Sequence, residues 1–201
     1  LGLFNGAVYL WDWASGGVVR PLGEHRSRVR SVAFSHDGTM FASGGEDRVL
    51  KTWSVKDHAL LTEQNGEPVH FFGVRFTPDD RQIVTWSDSK TVRVWNSRPE
   101  PLLPVIQTQA RIVFDLCVTR DGLGALVTPR DGVVRRVTLR GARVEPLRVP
   151  SARYAFESSH GEIVTATDGG TISFCDPTTS GVVGRVVLEG SDATQLVASE
   201  G

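Results

Sequence analysis

The sequence predicts an all-β fold, and three observations carry that expectation. Apolar segments end at Trp11, Trp53, Trp95, Val137 and Cys175, spaced 42, 42, 42 and 38 residues apart. Tight polar turns rich in Gly and Asp separate the segments, and these residues supply the positive φ that such turns need. Between the turns the chain carries only strand-like runs. A period near 40 built from strands alone means blades of a β-propeller, each blade a four-stranded sheet.

The clearest unit is Gly23 to Ser54. Val29, Val32 and Phe34 form its first strand, and Ser35-His36-Asp37-Gly38 its first turn. Met40 to Ser43 is the second strand, Gly44 to Asp47 the next turn, and Trp53 closes the third strand. Before it, Leu1 to Asp12 matches the end of a second strand and a whole third strand, and Val18 to Leu22 reads as an outer strand. After it, Ala59 to Gln64 is an outer strand. The next unit has strands at Val69 to Phe76, Gln82 to Trp86 and Thr91 to Trp95. Its proline-rich exit, Arg98 to Pro104, suits an outer edge, where no ladder bond is lost. The following unit has Ile112 to Thr119, Ala125 to Thr128 and Val133 to Leu139. The last complete unit has Tyr154 to Phe156, Ile163 to Thr167, Thr171 to Cys175 and the outer strand Val182 to Leu188. The expected division is a partial blade at 1–22, four complete blades at about 23–64, 65–107, 108–149 and 150–188, and a partial blade at 189–201. The expectation is a fragment of a longer ring; the alternative is a closed five-bladed ring whose two ends share one blade.

Composition narrows the function classes. Net charge is -1, which gives no global attraction to nucleic acid or an anionic membrane. No apolar run reaches the ~18 residues of a membrane span, and no signal-peptide pattern opens the chain. The only Met is Met40, so the chain reads as cut from something longer. Cys117 and Cys175 fall in strands of different units and are expected to be buried reduced thiols. A cytoplasmic location is the expectation.

The unit resembles the WD40 repeat. That repeat has a His near its start, a Ser or Thr on the second strand, an Asp before the third, and a terminal Trp. Here His25, Ser43, Asp47 and Trp53 match. The resemblance implies a buried hydrogen-bonded network of Trp, Ser, His and Asp. The copies degrade: Thr85 and Trp95 remain in the next unit, with Glu67 and Ser89 at the His and Asp positions. Asp131 remains in the third, with Gln109, Val127 and Val137 at the others. Thr165 and Asp168 remain in the fourth, with Cys175 for Trp. Later blades are therefore expected to lean on β-branched packing.

Enzymatic readings are weak. Ser43 lies mid-strand rather than on a strained elbow. His25, His36, His58, His70 and His160 show no metal-ligand spacing, and His36 and His160 fall in turns where solvation is the simplest expectation. Glu46-Asp47 and Asp79-Asp80 read as turn carboxylates. No cofactor, metal, nucleic acid, membrane or small-molecule substrate is expected. The resemblance implies partner docking around the central channel, at the residues flanking the first strand's leading Val and the residue before the structural Asp. Those are Arg28, Arg30 and Glu46, then His70, Phe72 and Asp88, then Ile112, Phe114 and Arg130, with Phe4 from the N-terminal stub. Phe72 breaks the alternation of Phe71, Val74 and Phe76. Phe72 and Phe114 either anchor a partner or plug the channel against each other. The expected function is a non-catalytic scaffold for a protein or peptide. The alternatives are a regulatory or sensor propeller of a larger NTPase or kinase-type chain, and a propeller enzyme with a site at the channel mouth.

Overall fold

The computed structural model describes residues 2–12, 14, 16–65, 70–87, 91–98, 105–108 and 112–188. Among them are eighteen strands and no helix. A two-stranded sheet joins β1 (Ala7–Asp12) to β2 (Val18–Glu24). Four-stranded sheets follow: β3 (Val29–Phe34), β4 (Met40–Gly45), β5 (Val49–Ser54) and β6 (Leu60–Asn65); then β7 (Phe71–Phe76), β8 (Gln82–Ser87), β9 (Thr91–Asn96) and β10 (Val105–Gln107). The last two are β11 (Val113–Val118), β12 (Gly124–Pro129), β13 (Arg135–Thr138) and β14 (Val144–Pro146), and β15 (Tyr154–Glu157), β16 (Ile163–Ala166), β17 (Thr171–Cys175) and β18 (Val182–Val187). In each sheet the neighbours in sequence are hydrogen-bonded neighbours, running antiparallel. These are the meanders expected of propeller blades. The expected terminal blade at 189–201 lies outside the described residues, as do Glu67, Ser89 and Gln109.

The residues fall into two compact units, Leu1–Pro104 and Val105–Gly201. The core of each lies between its sheets, because a sheet with one apolar face must bury it against another. In the first unit, Val8, Val29, Phe41 and Trp53 pack the sheet of β1 against that of β3–β6. A larger cluster of Met40, Leu50, Phe71, Val74, Ile83 and Trp95 joins the next pair of sheets. In the second unit Leu126, Val134, Ala155, Ile163 and Cys175 do the same. Trp11 is the last residue but one of β1 as Trp53 is of β5, yet it is exposed.

Carboxylates in turns add a second kind of link between sheets. Asp80 accepts the backbone N–H groups of both His36 and Asp37, at 2.8 and 2.9 Å, and its Oδ1 lies 2.9 Å from His36 Nδ1. His36 is therefore tied to the neighbouring sheet, where simple solvation was expected. Asp79 stays within its own turn, on the Thr77 hydroxyl at 2.6 Å. In the second unit Glu157 plays the corresponding part, accepting Arg120 N–H at 3.1 Å. His160 is exposed, beside Ser159.

Two further expectations are adjusted. The two cysteines are free, but only Cys175 is buried; Cys117 is half-buried, on a partly exposed strand. The third strand of the unit after Trp95 starts at Arg135 instead of Val133. Asp131 explains this: its carboxylate accepts Val133 N–H at 3.0 Å and grips Arg135 at 3.0 and 2.8 Å, which holds the chain in a turn for two more residues.

Candidate functional site

Hydrogen-bond direction can be followed through the network under β4. Asp47 can only accept, so His25 Nδ1, 2.9 Å from both its oxygens, carries the proton. His25 Nε2 is then an acceptor and takes the Ser43 hydroxyl proton at 2.8 Å. Ser43 Oγ in turn accepts the Trp53 indole N–H at 2.9 Å. The relay runs one way from indole to carboxylate with a neutral imidazole. Burial lowers the His25 pKa below its ordinary value, and the Asp47 bond opposes that only in part. A Cβ on Gly45 would lie 2.7 Å from Asp47 Oδ1 and 2.9 Å from His25 Nδ1, so only Gly leaves room for the relay.

The later units keep fragments. Thr85 accepts the Trp95 indole N–H at 2.8 Å. Asp131 serves Arg135 instead of a His. Cys175 hydrogen-bonds Thr165, and burial pushes its thiol pKa up. Among the described residues Trp86 Nε1 is buried without a partner.

Three of the expected partner-binding positions share one backbone feature. Where β3 pairs with β4, Val29 faces Gly45 and Ser31 faces Gly44, so Arg30 is an extra residue. Phe71 faces Ser87 and Gly73 faces Trp86, which leaves Phe72 extra. Val113 faces Pro129 and Asp115 faces Thr128, which leaves Phe114 extra. A β-bulge thus recurs at a spacing of 42 residues and turns one side chain out of the strand alternation. This is the physical reason that Phe72 breaks the pattern of its strand. A second bond repeats beside the bulge. Glu46 N–H donates to Arg28 O, and Arg130 N–H to Ile112 O, both at 2.8 Å.

In the first unit the structure gathers Phe4, Arg28, Arg30, Glu46 and His70. The Arg28 guanidinium lies 3.7 Å from the centre of the Phe4 ring, which is 76% exposed. Arg30 pairs with Glu46 at 2.8 Å, and His70 Nδ1 donates to the Glu46 carbonyl at 2.6 Å. Phe72 is half-buried, and Asp88 lies outside the described residues.

In the second unit Phe114 is 41% exposed, Arg130 is exposed and Ile112 half-buried. Phe114 and Arg130 line a pocket of ≈ 300 Å³ together with Gly132, Ser151, Arg153 and Asp168. Arg153 stacks 4.9 Å from the Phe114 ring centre, donates to Tyr154 Oη at 3.3 Å and reaches Asp168 at 3.3 Å. The Tyr154 bond, with the charge of Asp168, raises its pKa above the ordinary value. Arg153 escapes sequence reasoning because the 42-residue spacing slips in this last unit, where β15 and β16 pair without a bulge. Among the described residues no group of three potential metal ligands occurs.

The family described as "WD domain, G-beta repeat" matches residues 16–54 and 61–96. WD repeat and SOCS box-containing protein 1 of Takifugu rubripes is 32% identical over 97 residues, 47% of this chain and 23% of that protein. WD repeat-containing protein SL1-17 of Schistosoma mansoni is 38% identical over 180 residues, 87% of this chain and 60% of that protein. Human apoptotic protease-activating factor 1 is 30% identical over 127 residues, 59% of this chain and 10% of that protein. The chain thus spans only part of the length of these relatives, about a quarter in the first. Within an all-β fold of four-stranded antiparallel sheets, residues 16–54 and 61–96 of this chain match the WD40 repeat, and relatives named for WD repeats match it as well.

Proposed function

We propose that the chain is a rigid, non-catalytic scaffold that binds a protein or peptide through its bulge-borne side chains. WD40-repeat proteins are in general protein-interaction scaffolds. The observation that carries the reading here is the thrice-repeated bulge that lifts Arg30, Phe72 and Phe114 out of strand alternation. An aromatic released from the core contributes ~1.5–3 kcal/mol when a partner covers it fully, and guanidinium groups beside it suit acidic segments. The test compares partner recovery from a lysate by the parent chain, the Arg30→Ala/Phe72→Ala variant and Leu61→Ser, a control on the outer strand β6. Recovery lost in the double variant and kept in the control supports the reading; equal recovery in all three removes it.

A second reading has its own support. The match to apoptotic protease-activating factor 1 covers 10% of that protein, so there the matched stretch is a small part of a long chain. A regulatory propeller acting on a neighbouring domain of its own chain fits that proportion. Sequence upstream and downstream decides it, through the presence or absence of a nucleotide-binding motif.

A further inference from the structure

The pocket beside Phe114 has a charge balance that selects its ligand. Three charged groups line it: Arg130, Arg153 and Asp168. Arg153 is already engaged, by the Asp168 carboxylate and the Phe114 ring. Asp131, next in sequence to Arg130, is taken by Arg135 through two bonds. Among the described residues Arg130 therefore has no carboxylate partner, and three backbone donors nearby are spent: Arg130 N–H on Ile112 O, Gly132 N–H on Pro129 O and Ala152 N–H on Gly132 O. The net charge of the lining is +1 and rests on one guanidinium fork.

Resting on the scaffold reading above, we infer that this pocket takes the carboxylate side chain of an acidic residue in a partner polypeptide, with an adjoining apolar side chain laid on Phe114. A guanidinium fork matches a carboxylate in two parallel hydrogen bonds. One unpaired cation suits a monoanion. A phosphate dianion needs a second cation, and Arg153 becomes free only by giving up Asp168, whose own charge then repels the dianion. The volume, ≈ 300 Å³, is at the low end of ligand pockets and holds one or two side chains.

The test is an NMR titration of the full chain with three blocked tetrapeptides, identical except for glutamate, glutamine or phosphoserine next to a leucine. The expected result is saturable shifts around Phe114 and Arg130 with the glutamate peptide, at least fivefold tighter than with glutamine. Arg130→Gln is expected to abolish that difference, and Arg130→Lys to restore part of it; Arg130 is exposed, so neither variant threatens the fold. Phe114→Ala weakens both uncharged and charged peptides alike. Equal binding of the glutamate and glutamine peptides, or an unchanged preference in Arg130→Gln, overturns the inference. Phosphoserine binding fivefold tighter than glutamate overturns the choice of a carboxylate. Loss of glutamate preference in Arg130→Gln, with lysate recovery insensitive to Arg30→Ala/Phe72→Ala, separates a true pocket from a failed scaffold reading.

Discussion

Ser43→Ala tests the relay at its centre. Among the described residues Ser43 Oγ is the only group that joins Trp53 to His25, and the residue is fully buried. Removing it leaves an indole N–H and an imidazole nitrogen buried without partners. Each such orphan costs ~1–3 kcal/mol. The two share one network and do not add fully, so the expected loss is ~2–4 kcal/mol. Thr85→Val is the matched comparison, since it strips a partner from the Trp95 indole alone, at ~1–2 kcal/mol. The assay follows from the sequence: all five tryptophans (Trp11, Trp13, Trp53, Trp86 and Trp95) lie in the unit Leu1–Pro104. Urea unfolding followed by tryptophan emission therefore reports that unit alone. A loss below ~0.5 kcal/mol for Ser43→Ala, the range of an ordinary surface change, or a loss no larger than that of Thr85→Val, refutes the relay as a source of stability.

Three other outcomes are expected. The His25 pKa lies below its unfolded value because of burial, so the unfolded chain takes up more protons in that range. Stability of the first unit is therefore full above the ordinary histidine pKa of ~6.5 and falls as the pH drops below it; tryptophan-monitored urea midpoints from neutral to mildly acid pH check this, and a flat profile contradicts it. Gly73→Ala places a Cβ 1.9 Å from the buried Trp86 ring and is expected to cost ~1–3 kcal/mol through overpacking, with Trp86→Phe restoring part of the loss in the same unfolding assay. Asp80→Ala frees the amides of His36 and Asp37, whose hydrogen exchange should accelerate while the amides of β8 stay protected.

The fold was legible because its signal is periodic and local. Turn glycines, aspartates and strand-ending tryptophans recur every 42 residues, and the meander needs no long-range information beyond that spacing. His25, Ser43, Asp47 and Trp53 were legible because one unit keeps all four. Arg153 was not, since its place depends on pairing across β15 and β16 after the spacing has slipped. The ties from Asp80 and Glu157 were not legible either. They join residues 44 and 37 positions apart, a separation set by how neighbouring sheets stack and not by any pattern within one unit. Phe72 stood between: the sequence betrayed that it broke the alternation, and only the strand register revealed the extra residue as the cause.

The bulge has a consequence for how freely this surface can change. An inserted residue that is left out of the ladder holds no cross-strand partner, so its identity is not tied to the register of the strands on either side. One backbone position already carries an arginine in one sheet and phenylalanine in two others without altering the pairing around it. Such a position behaves as an interchangeable socket. Altering Arg30 or Phe114 changes the side chain presented at that place, while the sheet beneath keeps its alignment.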